Sequence, residues 1–131
     1  MATAYQFPVK QHKGVVFAEL PSVMKALALD LDFITMLFGV VKLSGGELVH
    51  DYDTNLQRYE TLVGGWATLY YRDRDPFYCS VSVAEFGGQG KRYKDNPGRC
   101  LARVAMATAI RCYFPNLLRN AYIPEEFQNA G

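Results

Sequence analysis

The chain has 131 residues, of which 50% are hydrophobic and 21% are charged. This balance can bury a core and excludes a disordered protein, and the length predicts a single domain over residues 1–131. The longest apolar run, residues 33–41, is about half of the ~18–20 residues that a membrane span needs, so no membrane partner is expected. The absence of a signal-peptide pattern and of any CxxC pair favours a cytoplasmic protein without disulfides.

The formal net charge of +1 conceals an uneven distribution of charged residues. Between Gly88 and Asn120, seven basic residues stand against the single acid Asp95, a surplus of +6, whereas the rest of the chain sums to −5. A polyanion responds to such a local surplus, because charges interact over a Debye length of ~8 Å. The alternative explanation is a solvated basic face of a helix.

The first half of the chain predicts one strand, one short helix and one hairpin. Residues 14–20 (GVVFAEL) are a β-branched run that ends at Pro21, which is typical of a strand. A short helix over residues 22–29 would have Ser22 as its N-cap. Segments 38–43 and 47–52 flank two glycines that can supply the positive φ of a hairpin turn.

The second half predicts a hairpin followed by a long helix. Segment 65–71 is rich in aromatic residues, segment 77–83 alternates apolar and polar side chains, and a charged turn over residues 72–76 joins them. Asn96 and Pro97 form an N-cap and first helical position, and Pro115 ends the run, so the helix should cover residues 98–114. Its predicted sheet-facing stripe is Leu101, Val104, Ala105, Thr108 and Cys112. The resulting fold class is α+β: an antiparallel sheet of hairpins packed against one long C-terminal helix.

The sequence contains no spacing typical of a catalytic or metal site, so we expect no enzyme, no cofactor and no bound metal. His12 and His50 stand in no family-specific pattern, and His50 should point away from Asp51 and Asp53 on a strand. Asp51 with Asp53, or Asp73 with Asp75, are the carboxylate pairs that would hold Mg²⁺, with surface solubility as the alternative explanation. The cysteines Cys79, Cys100 and Cys112 are interpreted as core residues.

The glycines at positions 87, 88 and 90 precede Lys91 and Arg92 but do not adjoin the helix start, which is the wrong spacing for a Walker motif. We therefore expect no ATP binding. A flexible connection is the preferred interpretation, with contact between the glycine amides and a backbone phosphate as the alternative.

An ordered series of short motifs follows over residues 64–127: Gly65-Trp66-Ala67, Tyr71-Arg72-Asp73-Arg74-Asp75-Pro76, Val83-Ala84-Glu85-Phe86, Tyr93-Lys94-Asp95-Asn96-Pro97, Arg99-Cys100-Leu101-Ala102-Arg103-Val104-Ala105, Ala109-Ile110-Arg111-Cys112-Tyr113-Phe114-Pro115 and Tyr122-Ile123-Pro124-Glu125-Glu126. This series resembles the core of the RecT/Bet (Redβ-type) family of phage single-strand DNA annealing proteins. Tyr93 stands where the family usually has Trp, Cys100 for Met, and Ala102 where many members carry Arg. Residues 1–45 match no pattern of the family and have no predicted role, so the predicted annealing core is 46–127.

The resemblance implies a sheet packed on a long helix and ATP-independent annealing of complementary single strands by self-associating subunits, in phage-type recombination. A phage exonuclease is a further partner that the resemblance suggests. Such a protein must hold phosphates with cations and support bases with aromatic groups. The predicted DNA-binding residues lie on the turn, the connector and the helix, and are Arg72, Arg74, Lys91, Arg92, Tyr93, Lys94, Arg99, Arg103 and Arg111.

Tyr71 is a second aromatic candidate, with a core position as its alternative, and Arg111 has an ion pair with Glu85 as its alternative. We expect the cations to lie in one trough, where the 65–83 hairpin meets the start of the helix. Two other functions stay open: a protein-interaction or self-assembly module with the same fold that has lost DNA binding, and a metal-dependent nuclease that uses Asp51 and Asp53.

Overall fold

The computed structural model describes residues 5–86 and 90–126. Near the N-terminus, strands β1 (Lys10–His12) and β2 (Val15–Phe17) form a short antiparallel hairpin. Its turn places Lys13 and Gly14 at φ values of 51° and 80°. Helix α1 (Leu20–Leu27) follows and buries one side, including Val23 and Leu27.

A four-stranded antiparallel sheet forms the middle of the chain. Its strands are β3 (Phe33–Ser44), β4 (Glu47–Asp51), β5 (Thr61–Tyr71) and β6 (Phe77–Ser82), in the order β4-β3-β5-β6. The β3–β4 turn places Gly45 and Gly46 at φ values of 58° and 84°, which confirms the predicted glycine turn. Both predicted hairpins are therefore present, within one sheet.

Among the described residues, five helical segments and one short strand follow the sheet. They are α2 (Val83–Phe86), α3 (Lys91–Asp95), α4 (Pro97–Tyr113), α5 (Pro115–Leu118), β7 (Ala121–Tyr122) and a 3₁₀ turn (Pro124–Glu126). β7 pairs in parallel with β2, so a second sheet has the order β1-β2-β7. The predicted connection at Gly87 and Gly88 lies outside the described residues.

Helix α4 begins where its capping residues predict. The side chain of Asn96 accepts a hydrogen bond from the Arg99 amide at 3.0 Å, and Pro97 occupies the first turn, where a missing N–H costs nothing. The helix lies directly on β5, because a Cβ on Gly65 would come within 2.3 Å of the Leu101 carbonyl. The α+β class, with its antiparallel sheet and long C-terminal helix, is thus confirmed.

The buried core surrounds α4 on more than one side. Leu101 and Ile110 of α4 are fully buried, together with Leu69 from the sheet and Val23 from α1. Because α1 and the β1-β2-β7 sheet contribute to the same core as the four-stranded sheet, the segment before residue 46 is part of the layer that encloses α4. The sequence assigned no role to this segment.

Two predictions for the first 30 residues are wrong. The strand predicted over residues 14–20 covers Val15–Phe17 alone, and the helix begins at Leu20 with Glu19 as its N-cap residue, not at Ser22. The physical reason is Pro21, which lies in the first helical turn. Proline is compatible with the end of a strand, but it is equally compatible with the first turn of a helix, where its missing N–H group would have no hydrogen-bond partner in any case.

The predicted ends of the other elements need smaller corrections. β3 begins at Phe33 and β5 at Thr61, earlier than residues 38 and 65, and Val83 belongs to α2, not to a strand. Cys112, predicted to face the sheet, is exposed. β6 is the edge strand of the sheet on that side, so no further strand within the described ranges covers that flank of the helix.

Candidate nucleic-acid interface

Three predicted cations converge at the start of α4. Arg99 and Arg103, one helical turn apart, and Arg92 of α3 line a cavity of about 190 Å³. Asn96, the residue that caps α4, lies in the same wall. The N-terminal end of a helix carries a partial positive charge and therefore adds to the attraction of an anion.

The carboxylate of Glu125 holds two of these arginines in place. Its Oε2 accepts from Nη1 of Arg103 at 3.1 Å and from Nη1 of Arg92 at 3.5 Å, and the carboxylate side chain is 4% exposed. Arg92 also forms an ion pair with Glu19 at 3.4 Å. Two guanidinium groups are thus fixed by acids that lie far from them in sequence, which preorganises them and also offsets part of their charge.

An apolar cavity adjoins the cationic one and shares Arg99 and Arg103 with it. Its volume is about 310 Å³, and Leu20, Met24 and Phe38 contribute to its wall. The Phe38 residue is 40% exposed. An apolar and aromatic wall with guanidinium groups at its margin can accept a planar ring next to a phosphate, which is the composition of a nucleotide.

The arginines of the β5–β6 turn lie at the other end of α4, so the predicted single trough is wrong. Arg72 forms an ion pair with Asp32 at 3.4 Å, and the guanidinium of Arg74 lies 5.8 Å from the ring centres of Tyr71 and Tyr113. Tyr113 ends α4, about 20 Å along the helix from Arg99 at 1.5 Å per residue. The hairpin runs alongside the helix, and this orientation places its turn away from the helix start.

Arg111 does not pair with Glu85. Its guanidinium donates to both carboxylate oxygens of Glu126, at 2.5 and 3.0 Å, and to the carbonyl of Ala121 at 3.0 Å. Glu85 instead accepts from the backbone and hydroxyl of Ser82, each at 3.0 Å. Arg111 therefore ties α4 to the segment after it and lies outside both cavities.

The remaining predicted residues, Lys91, Tyr93 and Lys94, all belong to α3. Lys91 forms an exposed ion pair with Asp95 at 2.9 Å, and Tyr93 is partly buried against the core. Lys94 and Arg99 make no ion pair with a carboxylate in the described part of the chain. Lys94 lies outside the lining of both cavities. Within residues 5–86 and 90–126, Arg99 is therefore the lining cation whose charge is not offset by an ion pair.

Tyr71 occupies the core position given as its alternative. Its ring lies 5.5 Å from that of Tyr113, and its hydroxyl donates to Asp30 at 3.0 and 3.2 Å. Burial, then the bond to Asp30, raises the pKa of this hydroxyl. The aromatic residues that line the adjoining apolar cavity are instead Phe38 and Tyr52, neither of which the sequence pattern indicates as a site residue.

The structure explains why Phe38, Glu19 and Glu125 were missed as site residues. Phe38 belongs to a strand whose hydrophobic pattern predicts a core residue, and its exposure depends on the ends of α1 and α4. Glu19 and Glu125 reach the arginines through tertiary contacts across 73 and 22 to 33 residues. Charge counting in one window of sequence detects no such partners.

The carboxylates suggested for a metal site do not converge. Asp51 is bound by the ammonium of Lys42 at 2.8 Å, whereas Nε2 of His50 lies 2.7 Å from the Tyr78 hydroxyl on the opposite face of the sheet. This confirms that His50 points away from Asp51. Among the residues that the structure describes, no three His, Cys, Asp or Glu side chains are arranged to hold a metal ion.

The three cysteines are free thiols. Burial raises the pKa of Cys79 and of Cys100 to about 11, so both are protonated near neutral pH. Cys100 is a core residue as predicted, and its sulfur donates to the Glu125 carbonyl at 3.7 Å.

Comparison of the chain with protein-family models, with curated proteins and with solved structures found no match. Within the described ranges, no helix has both the length and the apolar composition required to span a bilayer.

Proposed function

We propose that the protein binds single-stranded DNA and anneals complementary strands without ATP, as a self-associating subunit of phage-type recombination. The observation that supports this proposal is the pair of adjoining cavities at the start of α4, one cationic and one apolar, which share Arg99 and Arg103. The resemblance of residues 64–127 to the RecT/Bet family supplies the reaction, and a phage exonuclease as a further partner.

The two cavities suggest how one nucleotide is held. Arg99, which lacks a carboxylate partner among the described residues, contacts the phosphate, while Arg92 and Arg103 contribute positive potential from fixed positions. The base lies with one face on the apolar wall near Phe38. Because phosphate contacts carry no sequence information, such a site accepts any strand.

Arg99→Ala tests this site by salt-dependent binding of a fluorescent single-stranded oligonucleotide. The substitution should weaken binding and reduce the slope of log K against log salt by about 1, because one phosphate contact and its counterion release are lost. The matched control is Arg72→Ala, which removes an exposed arginine at the other end of α4 and should leave slope and affinity unchanged.

Two results would contradict the site assignment. In the first, Arg99→Ala binds as tightly as the parent at every salt concentration. In the second, Arg72→Ala weakens binding as much as Arg99→Ala does, which would mean that positive charge anywhere on the surface suffices.

The annealing step has its own assay, in which two complementary oligonucleotides with a fluorophore and a quencher are mixed with protein and no nucleotide. Faster quenching than in the protein-free reaction is expected, and Arg99→Ala should lose most of this acceleration. Binding without acceleration would leave a single-strand binding protein and remove annealing from the proposal.

A self-assembly module is the second candidate function, because one face of the four-stranded sheet carries no charged side chain. Retention of an oligonucleotide on the parent protein separates the two candidates. Oligomers that form without DNA and retain none would favour the second.

A further inference from the structure

The four-stranded sheet has two faces, of which α4 covers one. Gly65, Cys79 and Phe77 meet α4 at Leu101, Ala105 and Tyr113, and these contacts define the covered face. Side chains alternate along a strand, so Trp66, Tyr78 and Ser80 point to the other side. We call this other side the open face.

The open face carries no Lys, Arg, Asp or Glu on any of its four strands. Its side chains follow from the strand register and alternation, and they are aliphatic, aromatic, hydroxyl or imidazole. The covered face, by contrast, includes the ammonium of Lys42 and the carboxylate of Asp51. An uncharged face in a chain that is 21% charged is a composition suited to burial.

Aromatic side chains are already clustered at the centre of the open face. The His50 ring lies 5.8 Å from Trp66 and 5.8 Å from Tyr78, and the Trp66 indole is 6% exposed. Its Nε1–H has no hydrogen-bond partner among the described residues. Around this cluster, Leu48 is 64% exposed and Tyr78 49% exposed.

We propose that the open face is the surface through which two copies of this chain pair, sheet against sheet. The inference deepens the self-association in the proposed function and does not require that DNA binds. A second copy fits because a two-fold pairing sets an uncharged surface against itself, without like-charge repulsion or unpaired buried charge. A polyanion does not fit, because the face has no cation for phosphates.

The size of the open face is sufficient for a small specific interface. Four strands ~4.8 Å apart and on average about 28 Å long give roughly 500 Å² per copy and about 1,000 Å² per pair. Specific interfaces begin at about 1,000 Å² of buried surface. Tryptophan and tyrosine side chains are the usual binding hot spots of such a surface, and Trp66 and Tyr78 both lie on this face.

The experiment measures molecular mass by sedimentation equilibrium over a range of protein concentrations, without DNA. The parent should approach twice the chain mass of 14.8 kDa. Leu48→Glu and Tyr78→Glu should each raise the dimer dissociation constant by at least about 100-fold, because each places two carboxylates in an uncharged interface. Leu31→Glu, at a residue 89% exposed between α1 and β3, is the matched control and should remain dimeric.

Circular dichroism of both variants shows whether the fold is kept. Because two exposed positions are substituted independently, the test still works if one of the two variants fails to fold. A monomeric parent protein overturns the inference. If that monomer also sediments together with zwitterionic vesicles, the open face is a lipid-binding surface instead. Dimeric Leu48→Glu and Tyr78→Glu, or a control that dissociates equally, also overturn it. Oligonucleotide binding per chain, measured separately, fails or succeeds independently of these masses.

Discussion

The ammonium of Lys42 lies between two carboxylates, Asp51 at 2.8 Å and Glu60 at 2.9 Å, with only 8% of its side chain exposed. The hydrogen bonds and charge of Lys42 lower the pKa of Asp51, and the pKa of Glu60 is lowered first by the Gln57 amide and then by Lys42. The pKa of Lys42 is raised in return. This triad ties the 52–60 segment to β3.

The substitution Lys42→Met should change how the thermal stability of the protein depends on pH. In the parent, the depressed pKa values of Asp51 and Glu60 give a stabilisation that is complete above about pH 5 and is lost as the pH falls below about 4. In the variant, two carboxylates face each other without a cation, so acid relieves their repulsion. The Tm gap between parent and variant should be widest at pH 7 and close toward pH 3.

Thermal melts at pH 7, 5 and 3.5 check this expectation. Lys25→Met, at an exposed residue of α1, is the control and should show no such gap at any of the three pH values. A constant Tm difference between parent and Lys42→Met over the whole range would mean that packing, and not the ion triad, determines the effect.

Arg99 and Arg103 are one helical turn apart and should nevertheless differ in stability cost. Arg103→Ala removes a hydrogen-bonded partner of the buried Glu125 carboxylate and should cost about 2 kcal/mol, whereas Arg99→Ala should change the free energy of unfolding by less than about 0.5 kcal/mol. Urea denaturation of both variants measures the difference. Equal losses of unfolding free energy in the two variants would show that the contact between Arg103 and Glu125 does not stabilise the fold.

At the scale of elements, the close approach of α4 to β5 depends on Gly65. An alanine Cβ there would lie 2.3 Å from the Leu101 carbonyl and 2.6 Å from the Ala102 nitrogen, both of them backbone atoms that cannot rotate away. Gly65→Ala should therefore destabilise the fold by about 3 kcal/mol or more, as an overpacked core does. Chemical denaturation measures this loss.

The control is Gly45→Asn. Gly45 has a φ of 58° and open space where a Cβ would lie, and asparagine tolerates that conformation. Its stability should stay within about 1 kcal/mol of the parent. A Gly65→Ala variant as stable as this control would mean that the helix can move off the sheet at little cost.

The elements that sequence predicted best have signals in adjacent residues. Asn96 and Pro97 mark the start of α4, Pro115 follows its end, and Gly45 and Gly46 mark the turn of the β3–β4 hairpin. Pro21 misled the prediction because one proline is compatible with both a strand end and a helix start. The cationic site was predicted in part, since Arg92, Arg99 and Arg103 do converge, but its acids and its apolar wall come from distant segments.

At the scale of the whole molecule, tertiary structure changes the meaning of the local charge surplus. The +6 counted between Gly88 and Asn120 is offset in part by Glu19, Glu125 and Glu126, three acids from outside that window. The feature that marks the start of α4 as a candidate binding site is therefore its position beside an apolar cavity, more than its net charge. Arg99, the lining cation without an ion-pair partner among the described residues, is then expected to account for most of the salt dependence of the proposed DNA binding.

The proposed pairing and the proposed DNA site together predict how oligonucleotide length should affect affinity. Two sheets packed on their open faces are ~10 Å apart, and each carries α4 on its outer side, so the two cationic cavities of a dimer face away from each other. A strand of about 4 nucleotides, at the lower end of the ~4–16 covered by single binding modules, is too short to reach both cavities. A strand several times longer reaches both, and the second contact becomes intramolecular.

The short strand should consequently bind the parent and Leu48→Glu with equal affinity per chain, whereas the long strand should bind the parent at least about 10-fold more tightly than the variant. Titration of both labelled strands by fluorescence anisotropy measures this. Leu31→Glu should follow the parent with both lengths. If the long strand still binds more tightly than the short one to monomeric Leu48→Glu, the dimer is not the cause of the length effect. The DNA-binding surface of a single chain would then extend beyond the Arg99 cavity.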